Sequence, residues 1–199
     1  MTAELEGRVI ALVCRGSEAD RAIAVALAEA GANLALGTVT RTQDEEFSTA
    51  SIANEVWAMG REQFNRVIDA ADPAEAAAFA AEVCDRLGRC DAMVLAPGPI
   101  LEIPFDELSR DEWDPLLTRT LTAWLFSAQA FGRVIERGRG GVMVIAIDPG
   151  DQSPSSQALD AALAGATAGL RVGYAPRGVH VMGCAPGAVA GRIAAVLPS

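Results

Sequence analysis

The 199-residue chain is 51% hydrophobic and 21% charged, which suits one compact domain over residues 1–199 with a large core. Its formal charge of -10 and its 16 basic residues, all arginine and nowhere clustered, make nucleic acid an unfavourable partner. Four cysteines (Cys14, Cys84, Cys90, Cys184) without a CxxC, beside the single His180, argue against a metal site and read as reduced, buried thiols.

The N-terminus, MTAELEGR, is acidic, and no apolar run is long enough to cross a bilayer. With neither a signal peptide nor a membrane anchor expected, the cytoplasm is the expected location.

Along the chain, short apolar runs alternate with longer helical patterns. Arg8–Cys14 reads as a buried strand, and Asp20–Gly31 as a helix stopped by its glycine. Asn33–Gly37 is a second strand and Ser48–Gly60 a second helix. Gln63–Asp69 is a third strand, and Pro73 opens a helix reaching about Leu87. Cys90–Ala96 is the fourth strand.

Ser109-Arg-Asp-Glu112 is a capping box, and the helix behind it extends from Arg110 to about Arg137. It carries Trp113, Leu117, Leu121, Trp124, Leu125 and Phe131, more apolar surface than one sheet face requires. Gly141–Ile147 is the fifth strand and Val179–Cys184 the sixth, with an Ala/Gly-rich helix from about Gln157 to Arg171 between them. Strict β/α alternation with short connections predicts an α/β fold: a Rossmann-like, doubly wound parallel sheet with helices on both faces.

Such a fold binds ligands outside the carboxyl ends of its strands, where glycines in the first strand-to-helix turn let backbone N–H groups hold a pyrophosphate. Here that turn reads Cys14-Arg-Gly-Ser-Glu-Ala-Asp20, with Gly16 its only glycine. Ser17 and Asp20 look like a capping pair, so the helix start is satisfied by the protein itself, and Glu18 adds a second carboxylate. Arg15 is the one group there that can reach a phosphate, and it reads as a solvated loop residue. The turn is expected to be a helix cap.

Taken together, LEGRVIALV, RAIAVALAEAGA, DAADPAEAAAF, LGRCDAMVLAPG, FDELSRDEWDPLL and APRGVHVMGCAPGAV resemble, in order and spacing, the short-chain dehydrogenase/reductase family over nearly the whole chain. The resemblance implies about six strands in the order 3-2-1-4-5-6. It also implies a C-terminus shortened relative to typical members, without their substrate lid and seventh strand.

The functional positions depart from the family pattern. Its T-G-x-x-x-G-x-G turn becomes CRGSEAD, and its N-N-A-G becomes Leu95-Ala96-Pro97-Gly98. Its helix asparagine falls on Thr120 and its catalytic serine on Ile147. Its Y-x-x-x-K falls either on Leu159 and Leu163 or on Ser156 and Asp160, and the chain contains no lysine at all. The single tyrosine, Tyr174, lies at the far end of that helix and reads as packing.

Asp69 matches the acidic residue that contacts adenine in the family, and equally reads as a strand-end cap. Arg41 follows the second strand, where members discriminate between cofactors, and reads as an exposed loop residue. Ser155, Ser156 and Asp160, with neither a histidine nor a glycine elbow near, read as a polar lead-in to a helix and not as a new site.

A family mechanism needs a proton donor, a lysine and a nicotinamide. The expectation is therefore a non-catalytic member with no catalytic residues and no NAD(P), in which Arg15, Gly16, Asp69 and Gly98 survive as degenerate cofactor positions. The family's interface helices, here about 110–137 and 157–171, imply a structural or regulatory subunit paired with an active family member or with itself. Two other readings stay open: a small-ligand module without nicotinamide, and a divergent NAD(P)-dependent oxidoreductase with a non-standard site.

Overall fold

The computed structural model describes residues 4–98, 104–138, 140–147 and 153–197. Six strands form one parallel sheet: β1 (Val9–Cys14), β2 (Asn33–Thr38), β3 (Gln63–Arg66), β4 (Ala92–Ala96), β5 (Gly141–Ala146) and β6 (Val179–Cys184). Their order is β3-β2-β1-β4-β5-β6, as expected for the Rossmann-like arrangement. Because helices cover both faces, the central strands are buried from end to end and read as unbroken apolar runs.

Alternation sorts the side chains. Val9, Ala11, Val13, Met93, Leu95, Met143 and Ile145 face one layer, packed by α3 (Pro73–Leu87), α5 (Ala123–Gly138) and α6 (Pro154–Tyr174). Ile10, Leu12, Cys14, Val94 and Val144 face the other, against α1 (Glu18–Glu29), α2 (Gln43–Ala58) and α7 (Val189–Ala194). None of the four cysteines is in a disulfide.

Three elements differ from their sequence expectation. Helix α2 begins five residues before Ser48, because its first turn is Gln43-Asp-Glu-Glu and shows no apolar face; its start signal is the Thr42 cap, whose hydroxyl accepts from the Glu45 N–H. Strand β3 stops at Arg66, and beyond it Thr38 Oγ1 both donates to the Ile68 carbonyl (2.7 Å) and accepts from the Ile68 N–H (2.8 Å). A side chain has replaced the ladder there.

The long helix is also not continuous. The expected capping box of Ser109 and Glu112 is present, but α4 (Arg110–Leu117) gives way to a π-helical turn over Thr118–Thr122 before α5 begins. Pro115 has no N–H to give the preceding turn, and the Thr118 and Thr120 hydroxyls bond back to the Asp114 and Leu116 carbonyls at 2.8 and 2.6 Å. Such π-turns are enriched at functional sites, and this one carries Arg119 and the buried Thr120. Among the described residues no helix is long and apolar enough to cross a membrane.

Candidate functional site

The chain reverses winding between β1 and β4, and the carboxyl ends of these strands frame the crevice where doubly wound sheets bind ligands. A cavity of about 220 Å³ opens there, lined by Ser17, Asp20, Ala96, Gly98, Ala146 and Pro186. Gly98 has φ 80°, and the Arg15 side chain lies across it: a Cβ on Gly98 would stand 3.0 Å from Arg15 Cδ.

The first turn is capped as the sequence predicts. Ser17 Oγ accepts from the Asp20 N–H (3.2 Å), and Asp20 Oδ2 accepts from the Ser17 N–H (2.9 Å). The electrostatics differ from expectation. Glu18 is 91% exposed and faces Arg21 at 3.5 Å, away from the crevice. Asp20 is buried, and burial pushes its carboxyl above the ordinary range even though hydrogen bonds from Ser17 oppose the shift.

Because the folded carboxyl holds its proton more tightly than the unfolded one, Asp20 contributes stability that is full below the unfolded value, near 4, and is lost as pH rises through the raised native value. Asp20→Asn keeps an oxygen for the Ser17 N–H and removes the titration. Urea midpoints measured from pH 4 to 8 should show wild type losing ground to the variant as pH rises. Parallel curves would show that Asp20 does not titrate differently in the two states.

Arg15 is no solvated loop residue. Its Nε donates to Glu45 Oε1 at 2.8 Å, and the Glu45 side chain is only 3% exposed. Glu45 Oε2 accepts from the Val39 and Thr40 N–H groups (3.0 and 2.7 Å), and Thr40 Oγ1 donates to Oε1 (2.8 Å). This one carboxylate thus closes the loop after β2 and holds Arg15 over the crevice.

Arg119 joins them from the π-turn. Desolvation lowers its pKa most, Arg15 repels it and Glu45 attracts it. No local pattern marks Glu45 or Arg119, because their grouping with Arg15 joins three segments that are far apart in the chain.

The remaining expected positions scatter. Gly16, at φ 81°, faces α2: a Cβ there would fall 2.2 Å from Ser48 Cβ. Asp69 accepts from the Ala71 N–H (2.9 Å) as a local turn, and Arg41 is exposed and pairs with Glu75. Tyr174 packs on Gly132 and donates to the Ala128 carbonyl at 3.3 Å, remote from the crevice.

On α6, Leu159 and Leu163 are buried against the sheet, and Ser156 joins Ser153 and Ser155 in a hydroxyl cluster at the helix start. Asp160 faces the outer side of β5 and β6, and its Oδ1 is buried without a hydrogen-bond partner. Ile147 lines that same hollow.

These residues suit a dinucleotide better than the first turn alone suggests. The cavity sits at the switch point, Gly98 has no side chain there, and Arg15 brings a guanidinium beside it. Of the two carboxylates that counted against a phosphate, Glu18 pairs with Arg21 in solvent, and burial raises the Asp20 carboxyl above its ordinary range.

Comparison with known proteins bears on the same question. The family model described as short chain dehydrogenase matches residues 13–198. The 2-dehydro-3-deoxy-D-gluconate 5-dehydrogenase of Pseudoalteromonas atlantica is 26% identical over 92% of this chain and 72% of its own. A short chain dehydrogenase from Burkholderia cenocepacia, solved in complex with NADP, is 28% identical, with a TM-score of 0.77 over 90% of this chain and 74% of that one.

A short-chain type dehydrogenase/reductase from Mycobacterium marinum superposes with a TM-score of 0.83 over 98% of this chain and 90% of that one, at 18% identity, which speaks for the fold alone. The chain spans between 44% and 73% of the length of the first curated relatives it matches.

Two expectations are corrected by these likenesses. A non-catalytic subunit finds no support among relatives named as dehydrogenases, and the expected lack of a nicotinamide cofactor is at odds with a structural neighbour that holds NADP. Both expectations weighed missing motif residues too heavily, because Arg119 and Glu45 and the true environment of Arg15 cannot be seen in a motif. With the sheet order, the switch-point cavity and a family match over 186 residues in agreement, the chain belongs to the short-chain dehydrogenase family.

Proposed function

We propose that this chain is an NAD(P)-dependent oxidoreductase whose proton-handling groups differ from those usual in its family. The observation that carries the reading is the crevice at the β1/β4 switch point with Arg15 lying across its Gly98 in a chain of net charge -10. Guanidinium groups present flat, multidentate donors to phosphate, and in a strongly acidic protein their placement at this crevice is selective.

When bound there, a reduced nicotinamide supplies a hydride. Arg15 would hold phosphate, and Gly98 would allow the close approach. Ile147 and the leucines of α6 have no proton to exchange with a carbonyl, and the Thr120 hydroxyl is committed to the Leu116 carbonyl, so the reading assigns proton transfer to groups on the Ser153–Asp160 stretch.

Calorimetric titration with NADPH and NADH tests this. Sub-millimolar binding is expected, tighter for NADPH because Arg15 stands beside the loop after β2, where a 2′-phosphate is read. Arg15→Met should weaken NADPH at least tenfold and NADH less. No heat from either nucleotide at several millimolar would overturn the reading.

A further inference from the structure

β6 is the outer strand of the sheet, and a groove of about 500 Å³ runs between it and α6. Its floor is one face of α6: Asp160, Ala164, Thr167, Ala168 and Arg171 recur at i, i+4, i+7, i+8 and i+11. Only methyl-sized side chains stand at the two alanine positions, and that is why a groove exists there. Its wall includes Ile145 and Ile147 from the end of β5.

The groove is apolar along its length and polar at its ends. At one end, beside Ile147, lies the buried and unpartnered Oδ1 of Asp160, and burial also pushes that carboxyl up. At the other, Arg171 donates Nε to the Val181 carbonyl (2.9 Å), which fixes the guanidinium and leaves its two terminal nitrogens without a carboxylate among the described residues. Arg171 also lines a second hollow of about 310 Å³ that wraps the sheet edge past His180 to Arg192, which likewise has no ion-pair partner among the described residues. In a chain of charge -10, two arginines without carboxylate partners among the described residues flank this one strand.

We propose that the groove takes an aliphatic hydroxy- or oxo-carboxylic acid, its carboxylate on Arg171, its chain over Ala164 and Ala168, and its distal oxygen at Asp160. Eleven residues of helix separate the two ends, about 16 Å of rise, and the Arg171 side chain leans back along the helix to shorten that span. A middle-length chain fits, whereas a short polyol acid would leave the apolar floor uncovered. That this ligand is the substrate rests on the oxidoreductase reading above, since its oxygen end is the end nearest Ile147 and the strand termini. The binding site itself does not rest on that reading.

The test is calorimetry without nucleotide, using octanoate, 8-hydroxyoctanoate and octan-1-ol. 8-Hydroxyoctanoate is expected to bind at least threefold more tightly than octanoate, and octan-1-ol at least tenfold more weakly. Arg171→Met should reduce both acids to the level of the alcohol, and Arg171→Lys should recover part of the loss. Asp160→Leu should erase the preference for the hydroxy acid. Ala168→Phe, on the exposed floor, should abolish binding with helix content unchanged. Equal binding of acid and alcohol, or acid binding indifferent to Arg171 and Ala168, overturns the proposal. Acid binding through Arg171 with no NADPH binding would leave this site standing and remove the oxidoreductase reading; the reverse result would do the opposite.

Discussion

Glu45→Ala is expected to destabilise the protein by about 2–4 kcal/mol, because one buried carboxylate satisfies two backbone N–H groups, a hydroxyl and a guanidinium. Truncation leaves the Val39 and Thr40 donors without a partner and strands Arg15, 34% exposed, beside an emptied buried site. Glu45→Gln should cost less, since an amide oxygen can still accept from the backbone pair. Chemical unfolding of both variants, with Arg15→Ala and the double variant completing a cycle, separates the ion pair from the backbone contacts. A loss below about 0.5 kcal/mol for Glu45→Ala would show that water replaces these contacts and that the loop after β2 does not depend on them.

Gly16→Ala should cost about 3 kcal/mol, from two sources. At φ 81° a side chain pays for a left-handed backbone, roughly 1–2 kcal/mol. The new Cβ would also fall 2.2 Å from Ser48 Cβ and 3.1 Å from the Ser48 carbonyl carbon, so α2 must move. Ser48→Gly in the same background should recover much of the steric part and none of the conformational part. If the second substitution recovers nothing, the close approach of α2 is not what Gly16 is needed for.

Both expected results concern one corner of the molecule, where α2 presses against the first turn. Gly16 admits the helix, and Glu45, one turn before Ser48 on α2, binds the loop and holds Arg15 across Gly98. The width of the crevice is therefore set by α2 as much as by the turn itself.

Reading the chain for family residues treats Gly16 as a remnant of a phosphate cradle and Arg15 as a surface residue. Their contacts reverse both assignments: the glycine serves packing, and the arginine belongs to the crevice. The missing lysine is a fact of the sequence, and together with Ile147 and Thr120 it describes which proton donors are unavailable. It says nothing about whether a nucleotide binds, because phosphate recognition depends on groups from other segments.

The sequence by itself determined the sheet, its order and most of its elements. Apolar runs, caps and glycine stops are local signals, so β1, β4, β5, α3 and the Ser109 capping box were legible almost to the residue. It also fixed which side chains can carry charge or a proton.

Only the tertiary structure decided the start of α2 behind its acidic first turn, the break at Thr118–Thr122, the meeting of Arg15, Glu45 and Arg119, and the groove between Asp160 and Arg171. The meeting of Arg15, Glu45 and Arg119 joins segments 30 to more than 100 residues apart. Periodicity and propensity report on neighbours in the chain, whereas burial and long-range electrostatics arise only after the sheet has brought distant strand ends together.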